Sequence, residues 1–247
     1  MLEHTFIHIP GIGPKTEQTL WGRGIHRWQD FLHHEKPVLS PAKDRLIHRD
    51  LEASLAHRDD IDFFSDRLPS GEMWLLFDGF RRRAVYLDIE TTGYDQWTSN
   101  ITVIGLYDGI RVQTFVNGKN LDAFETAVAA YDLVITFNGA CFDLPFIRRN
   151  FPGISLPQGH IDLRFLLKKL GYEGGLKRIE KDMGITRGKD IESVDGFEAV
   201  RLWRKYQRGN EKALETLISY NSADIVNLAP LMELAYEKMK EKIFFFG

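Results

Sequence analysis

Three short stretches of this chain carry residue types that can do chemistry together. The first is Asp88-Ile89-Glu90, at the end of the apolar run Ala84-Val85-Tyr86-Leu87. Side chains alternate along a strand, so Asp88 and Glu90 are expected on one face. Two carboxylates that close repel unless they share a proton or a cation. Hard divalent ions such as Mg²⁺ or Mn²⁺ suit such oxygen donors. The second stretch is Asn138-Gly139-Ala140-Cys141-Phe142-Asp143, directly after another apolar run, with Gly139 allowing the backbone a close approach to a ligand. The third is Tyr220-Asn221-Ser222-Ala223-Asp224, where i,i+4 spacing puts Tyr220 and Asp224 on one helix face, anchored by Leu217, Ile218, Ile225 and Leu228. Each stretch also has an ordinary reading: a solvated strand end, a helix N-cap at Asp143, and a surface aspartate beside a half-buried tyrosine.

The elements that must bring these stretches together can be read from the surrounding pattern. Residues 84–87 read as a buried strand ending at Asp88. Residues 102–107 and 111–116 read as a second and third strand joined by a turn at Asp108-Gly109. A helix is predicted near 120–130, a fourth strand over 133–137, and mainly helix from there to the end. Antiparallel strands followed by strand–helix alternation give an α/β fold, a mixed sheet flanked by helices. Seven of the eight histidines precede residue 58, and strands begin only after residue 83. This predicts an N-terminal helical region over 1–80 and an α/β domain over 81–247.

The net charge of -3 gives no overall attraction for nucleic acid, so contacts with it must come from local patches. Two are candidates. Ile9-Pro10-Gly11-Ile12-Gly13-Pro14-Lys15 reads as a tight hairpin entering a helix, similar to a helix-hairpin-helix motif, in which Gly11, Gly13 and Lys15 would meet a phosphate. Near 199–208, Ala199, Leu202, Trp203 and Tyr206 form an apolar helix face. Arg201, Arg204, Lys205 and Arg208 line the opposite side, either a solvated basic face or a phosphate track. Arg81 to Arg83, Lys168-Lys169 and Lys177-Arg178 would extend such a track.

Other features imply less. The single cysteine, Cys141, excludes an internal disulfide and is read as a buried packing residue. His33-His34-Glu35 lacks a second ligand set for a transition metal. Asp162 is read as a cap for the helix after it. The apolar end Ile243-Phe244-Phe245-Phe246 is expected to pack back on the domain, with a partner-docking tail as the alternative; the N-terminal region is the other place for a protein partner. No run is long and apolar enough for a membrane span and no secretory leader is recognisable, so the cytoplasm is the expected location.

Taken together, Asp88-Ile89-Glu90-Thr91-Thr92-Gly93, Asn138 to Asp143 and Tyr220 with Asp224 resemble, in order and spacing, the three motifs of the DEDD exonucleases, named for their four acidic residues. The tyrosine form of the third motif is matched; the histidine form would need His where Ser219 stands. The resemblance covers roughly residues 84–236 and extends to the bacterial YprB-like proteins, whose pattern includes stretches like His160-Ile161-Asp162-Leu163 and Gly174-Gly175-Leu176-Lys177. It implies a ribonuclease H-like fold and 3′→5′ exonuclease activity with two Mg²⁺ or Mn²⁺ ions about 4 Å apart. On it, Asp88 would bridge both ions, Glu90 and Asp224 would complete one, and Asp143 would hold the other. Tyr220 would orient the attacking water, and Thr91 and Asn138 would touch the terminal nucleotide. DNA is favoured over RNA through the hairpin motif. A ribonuclease H-like endonuclease, an RNA exonuclease and a non-catalytic nucleic-acid-binding protein stay open as alternatives.

Overall fold

The computed structural model describes residues 1–95, 97–188, 191 and 194–244. The chain forms two compact units: Met1–Arg82 together with the chain end from Tyr236, and Arg83–Ala235. The sequence reading carried the second domain to residue 247.

The first unit contains α1 (Pro14–Trp21), α2 (Trp28–Leu32), α3 (Pro41–Ala56), α4 (Ile61–Ser65) and, after a 3-10 turn at Ser70–Leu76, α5 (Phe77–Phe80). Pro14 at the first helical position and Gly13 at the N-cap start α1 as the sequence suggests. The Trp28 ring stacks on Phe64 at 6.0 Å, and its Nε1 donates to the Thr5 carbonyl at 2.7 Å. His8, one of the seven early histidines, lies in this core and hydrogen bonds Ser54 at 2.8 Å; burial pushes its pKa down to about 4. Only the 3-10 turn Leu2–His4 precedes the Gly11 hairpin, where a helix-hairpin-helix has a full helix.

The second unit is built on a five-stranded mixed sheet flanked by helices, a ribonuclease H-like fold. Its strands are β1 (Ala84–Thr91), β2 (Ile101–Tyr107), β3 (Val112–Val116), β4 (Leu133–Thr136) and β5 (Gly159–Asp162), in the order β3-β2-β1-β4-β5. β1–β2 and β2–β3 are antiparallel; β1–β4 and β4–β5 are parallel. Between and after the strands run α6 (Phe124–Val128), α7 (Asp143–Asn150), α8 (Leu163–Lys169), α9 (Leu176–Asp182), α10 (Gly196–Tyr206) and α11 (Glu211–Phe244), of which the part from Tyr236 belongs to the first unit.

Alternation along β1 sorts its two faces. Val85, Leu87 and Ile89 enter a core with Phe124 and Val128 of α6 and Phe146 and Ile147 of α7. Each such buried side chain contributes about 1.5–3 kcal/mol of transfer free energy. The opposite sheet face carries Val103 and Val116 against Leu202 and Trp203 of α10 and Leu214, Leu217 and Tyr220 of α11. Asp88 and Glu90, alternating with the first set, turn toward the α10/α11 side.

Two strand predictions are corrected. β1 does not stop at Asp88 but runs to Thr91, because Ile89 is still buried between the two acids. The sequence pattern predicts mainly helix after residue 137, but β5 interrupts it. This strand is four residues long with His160 and Asp162 at alternate places, so it has no apolar run to reveal it; its pairing with β4 makes it a strand.

Candidate active site

Asp88 and Glu90 project from β1, and Asp224 comes from α11. Among the described residues they form a group with one carboxylate oxygen each, all within 4.8 Å of one another. What lets α11 come so near is Gly105 of β2, the register partner of Asp88. A Cβ there would lie 2.2 Å from Asn221 Oδ1 and 2.9 Å from Ile225 Cδ1. Asn221, one turn before Asp224, donates its Nδ2 hydrogens to Asp88 Oδ2 at 2.8 Å and to the Asp88 carbonyl at 3.2 Å. It fixes the carboxylate from the helix side, and the sequence reading had passed over it.

Asp143 arrives from the other direction. Pairing of β1 with β4 ends at Tyr86–Ile135, which leaves the Ile89 N–H without a ladder partner on that side. Asp143 Oδ1 accepts that N–H at 3.0 Å, so the carboxylate is joined to the backbone between Asp88 and Glu90. Phe142 holds the N-cap place of α7, so the capping reading of Asp143 does not apply. The alternative reading of the third stretch fails as well: Tyr220 and Asp224 are both buried.

The turn that delivers Asp143 is tightly specified. Asn138 adopts φ 68°, and a Cβ on Gly139 would fall 2.3 Å from Thr136 Oγ1. Asp162 at the end of β5 accepts the N–H of Asn138 at 2.8 Å and of Ala140 at 3.0 Å, besides capping α8 through Arg164 N at 3.1 Å. The cap was foreseen; the clamp on the turn was not. Asn138 Oδ1 accepts from Arg164 Nη1 at 2.6 Å. Cys141 is exposed, which corrects its reading as a buried packing residue: it follows the Asn138–Ala140 turn clamped by Asp162, its own N–H bonded to the Asn138 carbonyl at 3.2 Å, and its thiol enters no core. Asp162→Ala should cost about 2–4 kcal/mol, since hydrogen bonds to a carboxylate contribute about 1.5–3 kcal/mol each. A thermal melt would show it, and by misplacing Asp143 the change should slow any turnover about 10- to 100-fold.

Burial and mutual repulsion govern the charges. Burial, then the charges of Asp224 and Asp143, push the Asp88 and Glu90 carboxyls well above the ordinary range. Burial raises Asp143 to about 7. It raises Asp224 only to about 6, because Arg187 opposes the shift. Burial and the nearby acids push the Tyr220 hydroxyl upward too, so it stays protonated and can donate.

Arg187 is the second residue that sequence reading missed. Its Nε and Nη2 donate to Glu180 at 2.6 and 2.8 Å, and its Nη1 lies 2.5 Å from Asp224 Oδ1. It sits in an irregular segment after α9 with no periodicity or motif to mark it. Lys177, grouped by sequence with the basic stripe, instead donates to the Val194 carbonyl and lies 5.3 Å from the Tyr220 ring centroid. Its place is beside Tyr220, because α9 packs its buried side into the unit.

A cleft of about 150 Å³ opens onto Asp88, Glu90 and Asp224, lined also by Thr91, Tyr94, Phe142, Gly196, Val200 and Tyr220; Asp143 lies behind it, reached through the Ile89 N–H. Thr91 donates its hydroxyl to the Gly93 carbonyl at 2.6 Å. The hard oxygen donors and their forced closeness fit a divalent cation. Arg201, Arg204 and Lys205 are exposed on α10; Arg208, expected on the same helix face, is exposed in the turn after it, because α10 ends at Tyr206, and Arg201 and Lys205 each lie 3.3 Å from Glu198, which offsets part of their charge. In the first unit, Gly11 takes φ 78° and Lys15 is exposed on α1. His33, His34 and Glu35 join no cluster of metal-ligating groups among the described residues. The aromatic tail at 245–247, with the Phe244 side chain, lies outside the described residues. No helix among the described residues is long and apolar enough to cross a membrane.

Residues 85–236 match the RNase H superfamily. Among solved structures, the chain is similar to the family B DNA polymerase of the archaeon Pyrobaculum calidifontis, with TM-score 0.51 and 14% identity over 61% of this chain and 24% of that one. Brucella melitensis NrnC with bound Mg²⁺ gives 0.47 and 18% over 67% and 78%. Escherichia coli RNase D, an exoribonuclease involved in structured RNA processing, gives 0.46 and 19% over 68% and 44%. The chain thus spans about a quarter of the polymerase, and at such identities the likeness is one of fold. No curated protein sequence matches the chain.

Proposed function

The chain belongs to the RNase H superfamily, and from that membership and the site's geometry we propose that it is a metal-dependent 3′→5′ exonuclease of the DEDD type, tyrosine form, akin to the YprB-like proteins. One observation carries the reading: carboxylates 136 positions apart in sequence, Asp88 and Asp224, meet with Glu90 in a group narrow enough for a cation. Without cations this cleft repels phosphate, so activity should vanish in a chelator and return with Mg²⁺ or Mn²⁺.

Asp88, Glu90, Asp224 and Asp143 would hold two such ions, which when bound make a water nucleophilic and offset charge on the phosphoryl group. Tyr220 keeps its proton and directs its hydroxyl at the attacking water. Thr91 and the Asn138 turn border the terminal nucleotide, and Asn138, whose side-chain oxygen is taken by Arg164, contributes through its backbone and amide nitrogen. The exposed basic residues of α10 and the turn after it (Arg201, Arg204, Lys205 and Arg208) lead the backbone toward the cleft. The substrate is an unpaired end, DNA in preference to RNA because of the Gly11–Gly13 hairpin and Lys15.

The reading is tested with end-labelled single- and double-stranded DNA and RNA, each with and without a blocked 3′ end. Stepwise shortening from free 3′ ends is expected; cleavage of blocked substrates would instead make the protein an endonuclease. Tyr220→Phe should slow cleavage about 100-fold, in the range for one positioned proton donor, while calorimetric Mn²⁺ affinity stays near wild type. Lost Mn²⁺ binding in that variant would give the tyrosine another role.

A further inference from the structure

We propose that Arg187 is a built-in counter-ion that competes with divalent cations for Asp224, and that Glu180 sets the strength of that competition. The inference rests on the reading of Asp224 as a cation ligand. The three side chains are almost fully withdrawn from solvent, at 5% exposure for Arg187, 2% for Glu180 and 8% for Asp224, so water screens little of their interaction.

The two ends of the guanidinium are held differently. Toward Glu180 it makes two hydrogen bonds, at 2.6 and 2.8 Å, and Glu180 is itself fixed by the Asn227 amide at 2.9 Å. Toward Asp224 it makes one contact, Nη1 lying 2.5 Å from Oδ1. The first end is a bidentate anchor and the second a single-point contact. An arriving cation therefore takes the Asp224 oxygen from a partner that remains tied to Glu180. Until then, Arg187 supplies positive charge to carboxylates that burial forces together. Tyr220 shares this arrangement, with the guanidinium 5.7 Å from its ring centroid.

Opposite signs follow for two substitutions in the same ion pair. R187Q removes the competitor and should tighten Mn²⁺ binding about tenfold. E180Q leaves the full positive charge facing Asp224 and should weaken Mn²⁺ binding about tenfold. R187K, which keeps the charge, should stay within about threefold of wild type. Calorimetric titration of the metal-free full chain with Mn²⁺ at about pH 8 reads all three, with thermal melts to establish folding. A purely structural pair would move R187Q and E180Q in the same direction, and that result overturns the inference while leaving the exonuclease reading intact. Either variant decides alone: a folded R187Q that binds no tighter than wild type, or a folded E180Q that binds no weaker, also overturns it. A wild-type chain that binds no Mn²⁺ overturns both.

Discussion

Asp88→Ala is expected to lower phosphodiester cleavage by at least about a thousandfold, equivalent to roughly 4 kcal/mol of transition-state stabilisation, while the metal-free protein melts no lower than wild type. Both halves follow from the same geometry. Asp88 is central in the site, joined to α11 through Asn221 and close to Glu90 and Asp224. Its loss breaks the ligand set as no change at the rim would. It also removes one of several buried, mutually repelling carboxylates, so the metal-free fold is relieved of an unfavourable interaction. Quantified digestion of an end-labelled single strand and a calorimetric melt check the two halves. A folded variant with full activity would remove Asp88 from the mechanism.

The second large effect concerns pH. The Asp143 and Asp224 carboxyls are raised to about 7 and about 6 in the folded protein, against about 3.9 in an unfolded chain. Between those values the folded state binds more protons than the unfolded state, so stability decreases as pH rises. The contribution is fully present below about pH 4 and is lost as pH climbs through 6 and 7; Asp88 and Glu90, shifted in the same direction, extend the loss upward. The metal-free protein should therefore melt several degrees lower at pH 8 than at pH 5.5, the reverse of the trend produced by carboxylates in salt bridges. Saturating Mg²⁺ or Mn²⁺ should flatten the curve, because cations that bind the folded state stabilise it most where the acids are ionised. A melting temperature that rises across this interval in chelator would show that the acids are not held together as described.

Much of this arrangement was legible because it is written in local pattern. The apolar run Ala84 to Leu87 reveals a buried strand, and alternation past its end puts Asp88 and Glu90 on one face. The i,i+4 spacing of Tyr220 and Asp224 shows a shared helix face. What escaped depends on partners distant in sequence. Asn221 looks like any polar residue within a helix until Asp88 is opposite it. Arg187 lies in a charged, irregular segment, and its value arises from Glu180 and Asp224 on two different helices. β5 is a strand because β4 is beside it, and Asp162 grips the Asn138 turn only once that pairing exists. Small apolar character suggests burial for Cys141, whereas its place in the turn before α7 leaves it exposed.

Gly105 contributes no atom to the chemistry, yet the helix bearing Asp224 rests against its bare backbone. An added methyl group there would wedge α11 off the sheet and pull the acidic set apart, so position 105 acts as a spacer for the cleft. Among related sequences, a larger residue at this point should be accompanied by smaller ones at 221 and 225, and such covariation would record a constraint on ligand spacing in residues that never meet substrate.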